Sequence, residues 1–284
     1  MRRLGLVRAK RKIRQAGIAF QVPRGEELTR RLGPVLRVVY LVFTQGHRAA
    51  GGAELIRGEL CDQAIRLARA LAALLPGEPE AAGLLALLLL TDARRAARLD
   101  GAGELVPLAE QDRGRWDRDL IGEGEALLTR ALAARRPGPY QLHAAIAACH
   151  SGLEGTGWPQ IAALYGELAR YEPGPVTEAN RAVAVAMAGQ PAAGLAMLDP
   201  LGARLARWPQ FHIARAELLR RLDRPAEAGE AYRAALGLAL PRQERLFIER
   251  RLAALPLLPA MMAAARFGRT SVRDSRCGRC TWCL

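Results

Sequence analysis

The chain has 284 residues, 5% aromatic, with a formal net charge of +14. That length can bury a sizeable core, and so few aromatics among abundant Ala and Leu favour helices packed through small side chains over a β-sandwich. Charge is concentrated at the ends: eleven Lys and Arg against two acids leave +9 in residues 1–37, five Arg against one Asp leave +4 in residues 262–284, and the long middle keeps only +1. Polyanion contact is therefore expected of the termini. The longest apolar runs, Val35–Phe43 and Leu84–Leu90, fall short of the ~18–20 residues a membrane helix needs, and the N-terminus lacks the apolar segment of a signal peptide. No membrane association and a cytoplasmic location are expected. Five cysteines show no disulfide framework.

In chain order, Met1–Ala16 reads as a short basic helix, with Leu6, Ala9 and Ile13 on one stripe and Gly17 as its stop. Arg8, Lys10, Arg11, Lys12 and Arg14 crowd the remaining surface. They are candidate contacts to a nucleic-acid backbone, without base specificity; a solvated helix end is the alternative. Residues 18–33, interrupted by Pro23 and Gly25, read as a linker. Helices are then expected over Val35–Thr44 and Glu54–Leu75, the second stopping at Pro76-Gly77.

The next helix, Glu78–Leu99, organises the middle of the chain. Leu84–Leu90 is apolar on every side and must be buried, yet the same helix is expected to carry Asp92, Arg94, Arg95 and Arg98. Unpaired buried ions cost several kcal/mol. The candidate partners follow the Gly101–Gly103 turn: Asp112, Asp117 and Asp119, interleaved with arginines around Trp116. The expectation is a helical hairpin locked by an Arg/Asp network with Trp116 as its hydrophobic plug; a binding or switching role is the alternative.

Further helices are expected over Asp119–Ala134, Tyr140–Cys149 and Ile161–Tyr171. From Pro173 a 34-residue period emerges, with Pro191 and Pro225 in register. Ala182 aligns with Ala216, Val185 with Leu219 and Leu198 with Tyr232, at the small/large spacing of a tetratricopeptide repeat. Such repeats stack into a solenoid whose groove takes a protein segment, and Gln243–Leu255 would cap it. The expected fold is all-α, a helical bundle continuing into a tetratricopeptide-like helical-repeat stack. Its parts are a basic helix over 1–17, a linker over 18–33, a bundle over 34–172, repeats over 173–255 and a disordered basic tail over 256–284.

No constellation for chemistry stands out. Cys277, Cys280 and Cys283 have metal-like spacing but supply three ligands where structural zinc takes four. His143, Cys149 and His150 share one helix without an acid to orient either histidine. Phosphate-binding loops, metalloprotease helices and nucleophile elbows are absent. No enzyme activity, metal or cofactor is expected.

Eight segments occur in order: LVRAKRKIRQAGIAFQVP, VLRVVYLVFTQGH, LCDQAIRLARALAALLP, LLALLLLTDARRAAR, QDRGRWDRDLI, GPYQLHAAIAACH, WPQIAALY and ANRAVAVAMA. Together they resemble a family of extracytoplasmic-function (ECF) RNA polymerase sigma factors with a long helical-repeat C-terminal extension, over about residues 4–255. The resemblance implies that LVRAKRKIR ends the helix reading the −35 promoter element in the fourth sigma region. Arg8, Lys10, Arg11, Lys12 and Arg14 would then be its phosphate-contacting end. It implies RNA polymerase core and promoter DNA as partners, transcription initiation as the process, and an extension that regulates the factor or contacts a partner. The −10 reader and most of the −35 reader have no counterpart before Met1, so an N-terminally truncated factor is expected. The alternative is a stand-alone helical-repeat adaptor that binds a protein segment and has no promoter role.

Overall fold

The computed structural model describes residues 25–48, 55–152 and 155–256. The basic side chains Arg8, Lys10, Arg11, Lys12 and Arg14 and the cysteines at 277, 280 and 283 lie outside them. The described residues are all-α: helices connected by turns, with one isolated antiparallel bridge between Leu99 and Leu105 and no strand. They fall into two compact units dividing between Val38 and Val39, inside the first helix, and the described residues from Val39 onward, through the repeats, lie together in the second.

The first helix, α1, spans Glu26–His47, so residues 26–33 are helical where a linker was expected. Arg31 donates to Glu27 one turn earlier, a pairing that also sets an acid at the positive end of the helix dipole. Pro34 sits inside the helix. It removes one donor and crowds the carbonyl four residues back, but Arg30 and Pro34 are both exposed, so water can take up the displaced carbonyl. Farther on, Val39, Phe43 and His47 recur every four residues as the buried face.

Helices α2 (Gly58–Leu74), α3 (Pro79–Asp92), α4 (Arg118–Ala133) and α5 (Pro139–Ser151) follow. As its composition requires, α3 is the central helix: every residue from Leu84 to Leu90 is buried, and it packs on α2, α4 and α5. Two glycines permit that closeness. A Cβ on Gly83 would lie 2.9 Å from the backbone nitrogen of Gln141 on α5, and one on Gly124 of α4 would lie 2.8 Å from Leu90. The helix does not continue to Leu99 as expected. It stops at Asp92 and gives way to a single tight turn over Arg95–Ala97, because the returning strand of chain takes the carbonyls: Asp117 donates its N–H to Ala93 at 2.9 Å and Val106 to Arg98 at 2.9 Å.

Helix α6 (Trp158–Leu168) packs on α5 and on α7 (Pro175–Met187); α8 (Pro191–Leu198), α9 (Pro209–Arg221), α10 (Pro225–Leu236) and α11 (Arg242–Ala253) complete the stack. The repeat is visible as a register of prolines, each at the first turn of its helix where no N–H is needed: Pro175 and Pro209 open the first helices of the two pairs, Pro191 and Pro225 the second. At the crossing of α7 and α8, a Cβ on Gly194 would meet the carbonyl oxygen of Ala182 at 2.6 Å. One period later Ala216 faces the equivalent crossing, with Ala216 and Ala228 both fully buried. Ala216→Leu should therefore overpack the crossing and cost about 1–3 kcal/mol, while the exposed Ala226→Leu should be near neutral. Equal melting temperatures for the two variants would refute this assignment of the crossing.

The apolar face of the repeats is not left bare. Leu55 and Leu105, from the segments before α2 and α4, are buried in one cluster with Phe211, Leu218, Tyr232 and Ile248. The ion pairs Arg48–Glu244 and Arg250–Glu104, and Arg251–Glu110 at 3.1 Å, fasten those early segments to α11.

Candidate functional site

The expected Arg/Asp network takes a different form. Arg95 grips Asp92 with two hydrogen bonds, at 2.8 and 2.6 Å, and reaches Asp62 at 2.6 Å. Among the described residues no ion pair joins Arg94, Arg95 or Arg98 to Asp112, Asp117 or Asp119, all three of which are exposed. The reason lies in the helix ends, whose backbone groups have no partner within the helix. Asp117 caps the N-terminus of α4 through the N–H groups of Asp119 and Leu120, and Asp112 caps the tight turn before it through Gly114. Arginines serve carbonyls instead: Arg98 donates to His47 at the end of α1, Arg113 to Gly152 after α5, and Arg115 to Ala96. Trp116, 3% exposed, fills the centre with the Arg113 guanidinium over its ring at 4.7 Å.

Removing Arg95 would leave Asp92, 7% exposed, without its bidentate partner. Burial already holds that carboxyl above its ordinary range, with Arg95 opposing. Arg95→Ala should cost about 3 kcal/mol or more, and Asp92→Asn in the same chain should recover much of it. Denaturant melts of the single and double variants check this; additive losses would refute the coupling.

Behind this corner lies a cavity of about 360 Å³. Its walls come from α1, α3, α5, α6, α7 and α9, so residues far apart in sequence meet there. One wall is aromatic: Tyr40 stacks on His143 with centroids 6.5 Å apart and meets Tyr140 edge-on at 5.9 Å. His143 Nε2 lies 2.9 Å from a Glu172 oxygen. Burial, with Glu172 adding to it, holds the Tyr40 hydroxyl above its ordinary pKa. His150, also at the cavity, meets Trp158 edge-on at 5.3 Å, and its pKa is pushed down to about 3 by burial first and then by Arg94 and Arg113. His150 is therefore a neutral imidazole near pH 7.

Two arginines and two side-chain amides are among the polar groups at the wall. Arg48 forks onto Glu244, one of its two bonds measuring 2.6 Å, and Arg94, 8% exposed, lines the cavity beside Asn180 and Gln210. The Gln210 side-chain nitrogen is buried with no hydrogen-bond partner among the described residues. Among the described residues, no carboxylate lines the cavity. Cys149 is half-buried among the apolar residues of α5 and α6, and burial raises its thiol pKa, so it is held in the unreactive protonated form. The cavity can hold a ligand, and Glu172 supplies beside His143 the orienting acid that was not expected for either histidine.

Of the residues singled out from sequence, Arg94, His143 and His150 line the cavity, whereas Asp92, Arg95, Arg98 and Trp116 build the corner that supports it. Tyr40, Arg48, Asn180, Trp208 and Gln210 carried no local signal, since each becomes a wall residue only through packing of distant helices.

Fold and site define the described residues as an all-α helical stack with a cavity lined by aromatic and polar side chains. Residues 31–132 match the family described as "Family of unknown function (DUF6596)". The chain is also similar to Uncharacterized protein R00370 of Rhizobium meliloti (strain 1021), 44% identical over 261 residues, which takes in 91% of this chain and 62% of that protein. The chain thus spans less than two thirds of the length of the relative it matches. No solved structure matches it.

Proposed function

We propose that the chain is the C-terminal regulatory part of an ECF-type RNA polymerase sigma factor, and that the cavity is where it receives its signal. Promoter DNA and the polymerase core would be met by sigma domains of the full-length factor, with Arg8, Lys10, Arg11, Lys12 and Arg14 at the end of the −35 reading helix. The supporting observation is convergence. Five of the eight segments that carry the sigma-factor resemblance supply cavity walls: Tyr40 from VLRVVYLVFTQGH, Arg94 from LLALLLLTDARRAAR, His143 and His150 from GPYQLHAAIAACH, Tyr165 from WPQIAALY, and Asn180 from ANRAVAVAMA. Segments scattered over 150 residues of sequence would have little reason to resemble one family together unless they serve one place in the fold. The adaptor reading has less room, because Leu55 and Leu105 of the chain itself already pack into the repeat core.

Two measurements test the sigma reading. DNA upstream of the Met1 codon should encode, in one of three frames, the −10 and −35 reading domains; their absence from all three would overturn it. The purified chain should bind duplex DNA weakly and without sequence preference. With about three to five phosphates neutralised by the basic helix, the log–log salt slope should be about −3 to −5. Deleting residues 1–17 should abolish this binding, and undiminished binding would assign it to the Arg-rich tail instead.

A further inference from the structure

We propose that the cavity is a binding site for a small neutral aromatic compound carrying one group that both donates and accepts hydrogen bonds, such as a phenolic hydroxyl or a primary amide. This rests on reading the cavity as the place where a signal is received, and is independent of any role at promoters.

Size sets the first limit. About 360 Å³ lies at the lower end of the ~300–1,000 Å³ typical of small-molecule sites, and a folded protein segment would not enter it. The walls set the shape. Tyr40, Tyr165, Trp208 and the imidazoles of His143 and His150 line the cavity, alongside aliphatic side chains such as Leu87 and Val183. Flat rings and aliphatic groups together suit a planar, largely apolar body.

Charge balance sets the third limit. Arg48 is committed to Glu244, and Arg94 is already engaged within the protein. His143 lies against Glu172, and His150 is neutral near pH 7 because burial pushes its pKa down to about 3. Among the described residues no carboxylate lines the cavity to receive a cation. An entering ion would shed its hydration, a cost that only a well-placed opposite charge returns. Here the charges already answer one another, so a neutral compound is favoured over an ion of either sign.

Hydrogen bonding selects the polar group. The Gln210 side-chain nitrogen is buried without an acceptor among the described residues. A buried donor left in that state is costly, and an oxygen on the ligand would take its bond. Beside the Glu172 carboxylate, which accepts, His143 donates from Nε2, and in its neutral form the ring keeps Nδ1 as an acceptor. The Tyr40 hydroxyl, held above its ordinary pKa by burial and then by Glu172, stays protonated and can do either. A ligand group that accepts at Gln210 and donates to a neighbour uses both kinds of partner.

The test is isothermal titration calorimetry on the full chain near neutral pH with three probes of similar shape: 2-naphthol, 2-naphthoate and 2-naphthylmethylammonium. Saturable one-to-one binding of 2-naphthol is expected, with each ion at least about tenfold weaker. Gln210→Leu keeps a side chain of similar size without the donor and should weaken 2-naphthol about tenfold. Ala214→Leu adds bulk at the wall from α9 and should weaken it by at least as much. Both variants should keep the parent's helical circular dichroism spectrum. Glu178→Gln, at an exposed position outside the cavity, should bind as the parent does. Absence of 2-naphthol binding, an ion bound as tightly as 2-naphthol, or a folded Gln210→Leu or Ala214→Leu chain that binds it unchanged would each overturn the proposal. The comparison of the three probes needs no variant, so it decides even if a substitution disturbs folding. A chain that binds 2-naphthol but has no sigma domains encoded upstream would retain this inference and lose only the promoter reading.

Discussion

Tyr232→Ala should lower the melting temperature by roughly 10–20 °C, the largest single-residue effect expected in the repeats. Tyr232 is fully buried between α9 and α10, and its hydroxyl donates to Glu217, itself 1% exposed. Glu217 also accepts from Arg220 at 3.0 Å, and Arg251 approaches it at 3.8 Å. Truncation to Ala opens an aromatic-sized cavity, at a cost of about 3–5 kcal/mol, and withdraws one donor from a buried carboxylate, at about 1–3 kcal/mol more. For a domain of this size each kcal/mol moves the melting temperature by about 2–4 °C. Tyr232→Phe separates the two terms: it keeps the ring and should cost only the hydrogen-bond part. Should Tyr232→Phe cost as much as Tyr232→Ala, the hydroxyl and not the packing would hold this interface. Should both melt within a degree or two of the parent, the assignment of Tyr232 as the filler between the helices would fall.

Acid should destabilise the protein before its surface carboxylates titrate. His150 and His47 are buried, 6% and 9% exposed. Burial, with Arg94 and Arg113 near His150 and Arg98, Arg94 and Arg95 near His47, holds both well below the ordinary 6.5, His150 at about 3. Above pH 6.5 both are neutral in folded and unfolded chains, and stability is at its full value. Between 6.5 and the folded pKa the unfolded chain binds protons that the folded chain refuses, so stability falls as pH falls. At about pH 4.5, two units below 6.5, His150 alone should remove about 2.7 kcal/mol, and His47 acts in the same direction. Asp92 works the other way. Burial raises its folded pKa above 3.8, so it takes up a proton earlier when folded and partly offsets the loss near and below that range. Denaturant melts at about pH 7, 6 and 5 measure the slope, and His150→Gln should flatten it by about one proton's worth. An unchanged slope in that variant would mean that His150 is protonated in the folded protein.

The helices, their order and the repeat were legible in sequence because each depends on local spacing. A run such as Leu84–Leu90 has no polar face to offer water, and a proline suits a helix only at its first turn, so Pro191 and Pro225 mark two helix starts 34 residues apart. The same locality explains two misreadings. Residues 18–33 were expected to be a linker because Pro23 and Gly25 interrupt them, yet α1 starts at Glu26 and runs through Pro34, whose displaced carbonyl can be hydrated at an exposed position. The charges from Asp92 to Asp119 looked like partners because they are close in sequence and opposite in sign. Which ends of which helices meet at that corner is a tertiary fact. Once the end of α1, the turn after α3 and the residue after α5 meet there, their carbonyls claim Arg98, Arg115 and Arg113 in turn, and the N-terminus of α4 claims Asp117.

The cavity belongs wholly to the tertiary structure. Tyr40 and Gln210 stand 170 positions apart, and nothing in the period of either helix reveals that they share a wall. His143 and His150 were visible as a pair on one helix, seven residues apart. Their different surroundings were not: His143 lies beside Glu172, while His150 is buried against Trp158 within reach of two arginine charges. Sequence by itself determined which segments are helical and which faces must be buried, since those follow from propensity and period along the chain. Only the folded structure decided which polar side chains meet at one cavity, because that depends on how separate helices cross.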